Sequence, residues 1–163
     1  NYKANRKKQE HPKLLFQMHE HIAEIYSTKN SYGVETDDLV ATYWKTLTDE
    51  LGDNNVIIVS LDKDYKQLPC LMYNYHYKHQ EIINISPYEA LYNFYEQMIV
   101  GDTADNVNYC KGYGKAYAKK LFKDCKTHYQ FTKKTYELFK TIYKSKAKLK
   151  YIQCYNLLKL RTE

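Results

Sequence analysis

Three short stretches of this chain place carboxylates where they could act together. Glu35, Asp37 and Asp38 stand in "VETDDLVAT", Asp62 and Asp64 in "VIIVSLDKDYKQL", and Asp102 and Asp105 in "VGDTADNV". Each group falls at the end of an element: a helix start, the point after a strand, and the point after a second helix. Taken singly they are ordinary, because acids suit a first helical turn and an Asp-x-Asp pair or a Gly-Asp step suits a turn or cap. Taken together, seven converging carboxylates repel one another and raise one another's pKa values unless cations neutralise them. Oxygen donors with no Cys-x-x-Cys pair point to Mg²⁺ or Mn²⁺ rather than zinc. Two such ions about 4 Å apart activate a water and stabilise the leaving oxygen of a phosphodiester.

The charge distribution agrees with a phosphate-bearing partner. The net charge of +6 hides two opposed regions. Residues 35–64 hold eight acids and two lysines, whereas residues 111–150 hold thirteen lysines and two acids, Asp124 and Glu137. So large a lysine excess with so little compensating acid favours a polyanion. Acids and lysines stop being contradictory if metals turn the acidic patch into a phosphate site and the lysines hold the rest of a nucleic acid.

The elements that must position these groups are legible in the periodicity. "HPKLLFQMHEHIAEIYS" spaces Leu14, Leu15, Met18, Ile22, Ile25 and Tyr26 as an amphipathic helix, and "VETDDLVATYWKTLTDEL" sets Leu39, Val40, Tyr43, Leu47 and Leu51 on one face of a second. "NVIIVS" is a β-branched run that predicts a strand buried on both faces, which puts Asp62 and Asp64 at its carboxyl end. "CLMYNY" and "EIINI" predict two further, paired strands. Ser86-Pro87-Tyr88-Glu89 is a capping box that opens a helix through Ala90, Leu91, Phe94, Tyr95, Met98 and Ile99. From residue 100 onward the pattern is helical. Open α/β sheets carry their sites at the carboxyl ends of strands, where Asp62 and Asp64 fall.

Length and composition set the outer limits. A chain of 163 residues is long enough for one compact domain with a real core. The mean hydropathy of −0.74 is low because the 19 tyrosines build core while tolerating water. No apolar run reaches the roughly 20 residues needed to span a bilayer, so a cytoplasmic protein without a membrane partner is expected. The four cysteines, at 70, 110, 125 and 154, lack the spacing of a zinc knuckle or a disulfide framework, and buried reduced thiols are expected.

At these residues the chain resembles the 5′ nucleases: flap endonucleases, phage 5′-3′ exonucleases and the 5′-nuclease domain of bacterial DNA polymerase I. "NYKANR" is similar to that family's Tyr-Lys-x-Asn-Arg segment, and "VETDDLVAT" to its Glu-Ala-Asp-Asp-x-x-Ala-Thr. "VIIVSLDKDYKQL" resembles its strand followed by Asp-Lys-Asp-x-x-Gln-Leu, and "GDTADNVNYCKGYGKAYAKKLF" its Gly-Asp-x-x-Asp-Asn-Ile and glycine hairpin. The four matches run in the family's order over residues 1–122. The chain departs from the pattern at Asn108-Tyr109, where the family has Pro-Gly, and at Ala116, where it has lysine.

The resemblance implies a PIN-like (resolvase-like) parallel sheet with flanking helices over residues 1–99, including part of a helical arch. It implies a helical half with a helix–three-turn–helix over residues 100–163. It assigns Glu35, Asp37, Asp38, Asp62, Asp64, Asp102 and Asp105 to a site for two Mg²⁺ or Mn²⁺ ions, and makes Lys3 and Arg6 the catalytic cations on the scissile phosphate. Gly112 and Gly114 would let backbone amides approach DNA phosphates, with Lys111, Lys115, Lys119 and Lys120 adding contacts, and K⁺ is implied at the same element. The family places its first strand and two further aspartates ahead of the Tyr-Lys segment. The sheet read here is thus truncated at its N-terminus, and those groups would come from the full-length chain or a partner.

The expected activity is metal-dependent hydrolysis of DNA, or of an RNA primer on DNA, at 5′ flaps and 5′ ends by a monomer. The Lys-, Asn- and Tyr-rich composition fits an AT-rich genome such as a phage's, which would place the protein in a host cytoplasm. Two rivals stand beside this reading. One is a non-catalytic, structure-selective DNA-binding module with a vestigial metal site; the other is a ribonuclease of the same sheet type.

Overall fold

The computed structural model describes Lys3, residues 12–30 and residues 32–163. The fold is mixed α/β, with six α-helices and one three-stranded sheet among the described residues. Helix α1 (Leu15–Ile25) forms where the apolar spacing predicts it, yet none of its residues is buried. Helix α2 (Thr36–Leu51) carries Asp37 and Asp38 in its first turn, where the helix dipole favours negative charge. It packs inward through Ala41, Trp44 and Thr48, while Tyr43, Leu47 and Leu51 are exposed. The stripe that stands out in the sequence is therefore not the one that meets the core.

Strands β1 (Ile57–Val59), β2 (Leu71–Asn74) and β3 (Glu81–Asn84) lie in the order β1-β2-β3. The sheet is mixed rather than parallel: β1 and β2 run parallel, β2 and β3 antiparallel. The reason is the length of the connections. Residues 75–80 are enough for a hairpin but far too few for a crossover, whereas the longer link from β1 to β2 carries a 3₁₀ turn, Lys63–Gln67. Strand β1 also departs from expectation. Only Ile58 is buried, and Ile57 and Val59 are 41% and 58% exposed, because no described strand or helix covers that face.

Helix α3 (Pro87–Val100) opens with the expected capping box: Ser86 Oγ accepts from the Glu89 amide, and the Glu89 carboxylate accepts from the Ser86 amide at 2.8 Å. It is followed by α4 (Lys115–Leu121), α5 (His128–Tyr143) and α6 (Ala147–Leu158). Residues 101–114, which lead to the glycines ahead of α4, are turns with a single bridge, Asp102 to Val107, and contain no helix.

Two apolar cores result, and α3 contributes to both. One joins Ala41, Trp44, Ile58, Leu68, Met72 and Ala90, with Leu160 inserted from the C-terminal tail. The other joins Phe94, Tyr95, Met98 and Ile99 to Phe122, Phe131, Phe139, Cys154 and Leu158. Tyr95 stacks on Phe131 at 5.4 Å between ring centroids. All four cysteines are free and buried, as their spacing implied. Among the described residues no helix is long and apolar enough to cross a membrane.

Candidate functional site

The acids are brought together by three element ends. Glu35 is the N-cap of α2, with Asp37 and Asp38 in the turn that follows. Asp62 caps the 3₁₀ turn after β1, its Oδ1 accepting from the Asp64 amide at 2.9 Å. Asp102 follows the glycine that ends α3. Gly101 has φ +81°, and a Cβ there would lie 2.2 Å from the Val107 carbonyl oxygen, so only glycine lets the chain fold back. The Asp102 and Val107 backbones then exchange two hydrogen bonds of 2.7 Å, and the Asp102 side chain is drawn inward, its residue 4% exposed.

Glu35, Asp37, Asp38, Asp64 and Asp105 line one cleft of about 300 Å³, bounded on its far side by residues 156–161 of the C-terminal tail. Asp62 and Asp102 do not line it but adjoin Asp64. Gln97, from α3, donates Nε2–H to Asp64 Oδ1 at 2.8 Å and stands 3.4 Å from Asp102 Oδ2. Burial raises the Asp64 carboxyl to about 6, with the charges of Asp62 and Asp102 adding to it and Gln97 and Lys63 opposing. Burial likewise raises Asp37, helped by Glu35 and Asp38 and opposed by the Asp38 amide.

Among the described residues, cations of the chain itself stand on Asp102, Glu35 and Asp38. Lys63 Nζ lies 2.9 Å from Asp102 Oδ2, Lys3 Nζ 2.7 Å from Glu35 Oε2, and Arg161 Nε 3.6 Å from Asp38 Oδ2. Burial pushes the Asp102 carboxyl up, but Lys63 and the amides of Ala104 and Asp105 outweigh it and hold it below the ordinary value. The Arg161 amide also donates to Asp38 Oδ1 at 2.8 Å, and the Lys3 amide to the Asp105 carbonyl at 2.9 Å. Lys3 thus stands beside the acid cleft, on Glu35 and Asp105. Arg6 lies outside the described residues.

A cation fits this donor set by chemistry: hard carboxylate oxygens, of which Asp64 and Asp37 carry charge that their surroundings disfavour. Among the described residues, no three His, Cys, Asp or Glu side chains stand close enough to hold an ion as they are arranged. Lys63, Lys3 and Arg161 stand on three of these acids in the described arrangement.

The expected DNA-contacting residues lie apart from the cleft. Lys111, Gly112, Gly114, Lys119 and Lys120 are exposed on the turn and helix after it, and Gly112 adopts φ +91°. Lys115 is nearer, lining a depression with Lys63 and Asp64.

Several residues at the site were not singled out from the sequence. Gln97 bridges two acids, and its only signal was its place one turn before Gly101-Asp102. Lys63 sits between Asp62 and Asp64, where the pattern Asp-Lys-Asp offered a hint. Gln67 is buried and ties down the tail, donating to the Leu158 carbonyl at 2.9 Å and accepting from the Leu160 amide at 3.0 Å. Lys159 lines the cleft with its pKa lowered by burial, its Nζ 5.1 Å from the Phe94 ring centroid. Neither a scan against models of known protein families nor a search of curated proteins returns a match for this chain.

Proposed function

We propose that this chain carries the catalytic site of a metal-dependent 5′ nuclease, which hydrolyses phosphodiesters at 5′ flaps and 5′ ends of DNA or of an RNA primer on DNA. One observation carries the reading: acids from residues 35–38, 64 and 105, far apart in the chain, line a single cleft. In this reading the sheet and its helices belong to a PIN-like layer. The turns and helices after residue 100 belong to a helix–three-turn–helix half that holds duplex through Lys111, Gly112, Gly114, Lys115, Lys119 and Lys120, with K⁺ at the turn.

Glu35, Asp37, Asp38, Asp62, Asp64, Asp102 and Asp105 would hold two Mg²⁺ or Mn²⁺ ions between them. When bound, such ions lower the pKa of a water and neutralise charge on the scissile phosphate. The chain's own groups do the rest. Gln97 fixes the Asp64 carboxylate through its amide, and Lys63 keeps Asp102 ionised. Lys3, held at the cleft by its backbone and by Glu35, would exchange that carboxylate for a substrate phosphate and, with Arg6, stabilise developing charge.

The test is cleavage of a 5′-labelled flap duplex at low salt with Mg²⁺, with Mn²⁺ and with chelator. Metal-dependent release of short 5′ products that disappears in Asp62→Ala is the expected result. Turnover that survives chelator or Asp62→Ala would overturn the reading. A second reading, a structure-selective DNA-binding module without turnover, is favoured by the in-chain cations on Glu35, Asp38 and Asp102. It requires salt-sensitive duplex binding with no product under any metal.

A further inference from the structure

A second concavity, of about 720 Å³, lies where α3, β3 and α4 meet. Lys66, Lys119 and Lys123 line it, and none of them makes an ion pair among the described residues. Its one acid, Glu89, is engaged by the Ser86 amide and hydroxyl in the cap of α3. Tyr88 and Tyr92 line it as well. Tyr88 is 44% exposed, and its ring is backed by Phe131 at 6.0 Å. Tyr92 sets its ring edge-on to Phe122 at 6.2 Å and donates its hydroxyl to Glu96 Oε1 at 3.2 Å. Both rings are held from behind.

A third, smaller depression, of about 250 Å³, has lining residues in common with both the groove and the acid cleft: Lys66 and Asn93 with the groove, and Asp64 with the cleft. Asn93 Nδ2 donates to the Lys66 carbonyl at 2.9 Å, which joins α3 to the 3₁₀ turn there. Glu96 also lines that depression, with Lys115 Nζ at 3.9 Å and the Tyr92 hydroxyl donating to it at 3.2 Å.

We propose that this groove is a track for a single-stranded nucleic-acid segment, with bases stacking on Tyr88 and phosphates held by Lys66 and Lys123. Unpaired cations select a polyanion, and a ring presented in a groove selects unpaired bases, because a duplex offers side chains its base edges and not its faces. That the strand leads to Asp64 rests on the nuclease reading; the track itself does not.

The experiment is an anisotropy titration of a short fluorescent oligothymidylate, and of a blunt duplex, with chelator present throughout. Tyr88→Ala is expected to weaken single-strand binding about tenfold, within the range for loss of one base stack, and to leave duplex binding unchanged. Tyr88→Phe keeps the ring and is expected to bind as wild type. Lys123→Ala is expected to reduce the slope of log K against log salt by about 0.7 for the single strand. Wild-type single-strand affinity in Tyr88→Ala, or equal loss for duplex and single strand, would overturn the track. If Tyr88→Ala does not fold, as judged by circular dichroism, the Lys123→Ala slope decides, an unchanged slope counting against the track. Loss of binding in Tyr88→Ala together with no metal-dependent cleavage by wild type would keep the track and sink the nuclease; normal binding with cleavage would do the reverse.

Discussion

Lys63 Nζ stands 2.9 Å from Asp102 Oδ2, so a lysine of the segment after β1 neutralises a carboxylate delivered by the end of α3. The pair joins two of the three acidic stretches. It is unequal, the lysine side chain being 65% exposed and that of the aspartate 5%.

Lys63→Met is therefore expected to destabilise the fold at neutral pH by about 1 kcal/mol, less than a fully buried pair would cost because water screens the lysine. Asp102 has its folded pKa lowered, so its contribution is present above the ordinary carboxylate value and fades as pH falls through the folded one. Lys63 has its pKa raised, so its part is lost only as pH rises beyond its folded value. Urea denaturation of wild type and variant should show a difference that persists from mildly acid to alkaline pH and closes as pH falls below the ordinary carboxylate range.

Asp64 has the opposite sign. Its folded pKa of about 6 lies above the ordinary 3.8, so the folded protein binds the extra proton and gains stability as pH falls from 7 toward 4. Asp64→Asn is expected to stabilise the metal-free protein at pH 7 by about 1–2 kcal/mol, and to lose that advantage near pH 4. Under the nuclease reading the same change abolishes cleavage. Adding Mg²⁺ should raise the melting temperature of wild type and not of the variant; thermal melts with and without the ion give the comparison.

Gly101→Ala is expected to cost about 3 kcal/mol or more, because the methyl meets a backbone oxygen and φ is positive. The damage should centre on the Asp102–Val107 bridge. Hydrogen exchange at those two amides, which rely on each other's carbonyls, would reveal it, and unchanged protection would refute the role given to the glycine.

Gln67→Ala removes a donor and an acceptor from the tail and leaves two buried backbone groups unpaired, at a cost of about 2 kcal/mol. Limited proteolysis should then cut after residue 158 more readily than in wild type. Asp38, which takes its hydrogen bond from the Arg161 amide, should lose that partner at the same time.

How much of this was visible in the sequence depended on the range of the interaction. The α3 cap was legible because Ser86 and Glu89 act within one turn, and the β2–β3 pairing because two short strand-like runs, "CLMYNY" and "EIINI", flank a short connection. The position of Asp62 and Asp64 after β1 was legible for the same local reason. Strand β1 was misjudged because "NVIIVS" signals apolar side chains but not whether a neighbour covers them, and Ile57 and Val59 lie uncovered. In α2, Trp44 outweighs the longer Leu and Tyr stripe only once the sheet is in place. The tail's part in the cleft depends on Gln67, which lies 91 residues from Leu158, and no periodicity reports such a contact.

Helix α3 gives Ala90 to one core and Phe94, Tyr95, Met98 and Ile99 to the other, while Leu160 returns from the last helix to the sheet. Among the described residues, the two cores consequently cannot be separated without cutting through α3. Heat or denaturant should melt the described body in one step, with calorimetric and van't Hoff enthalpies in agreement. The separately placed helix α1, which contributes nothing buried, is the segment free to melt earlier.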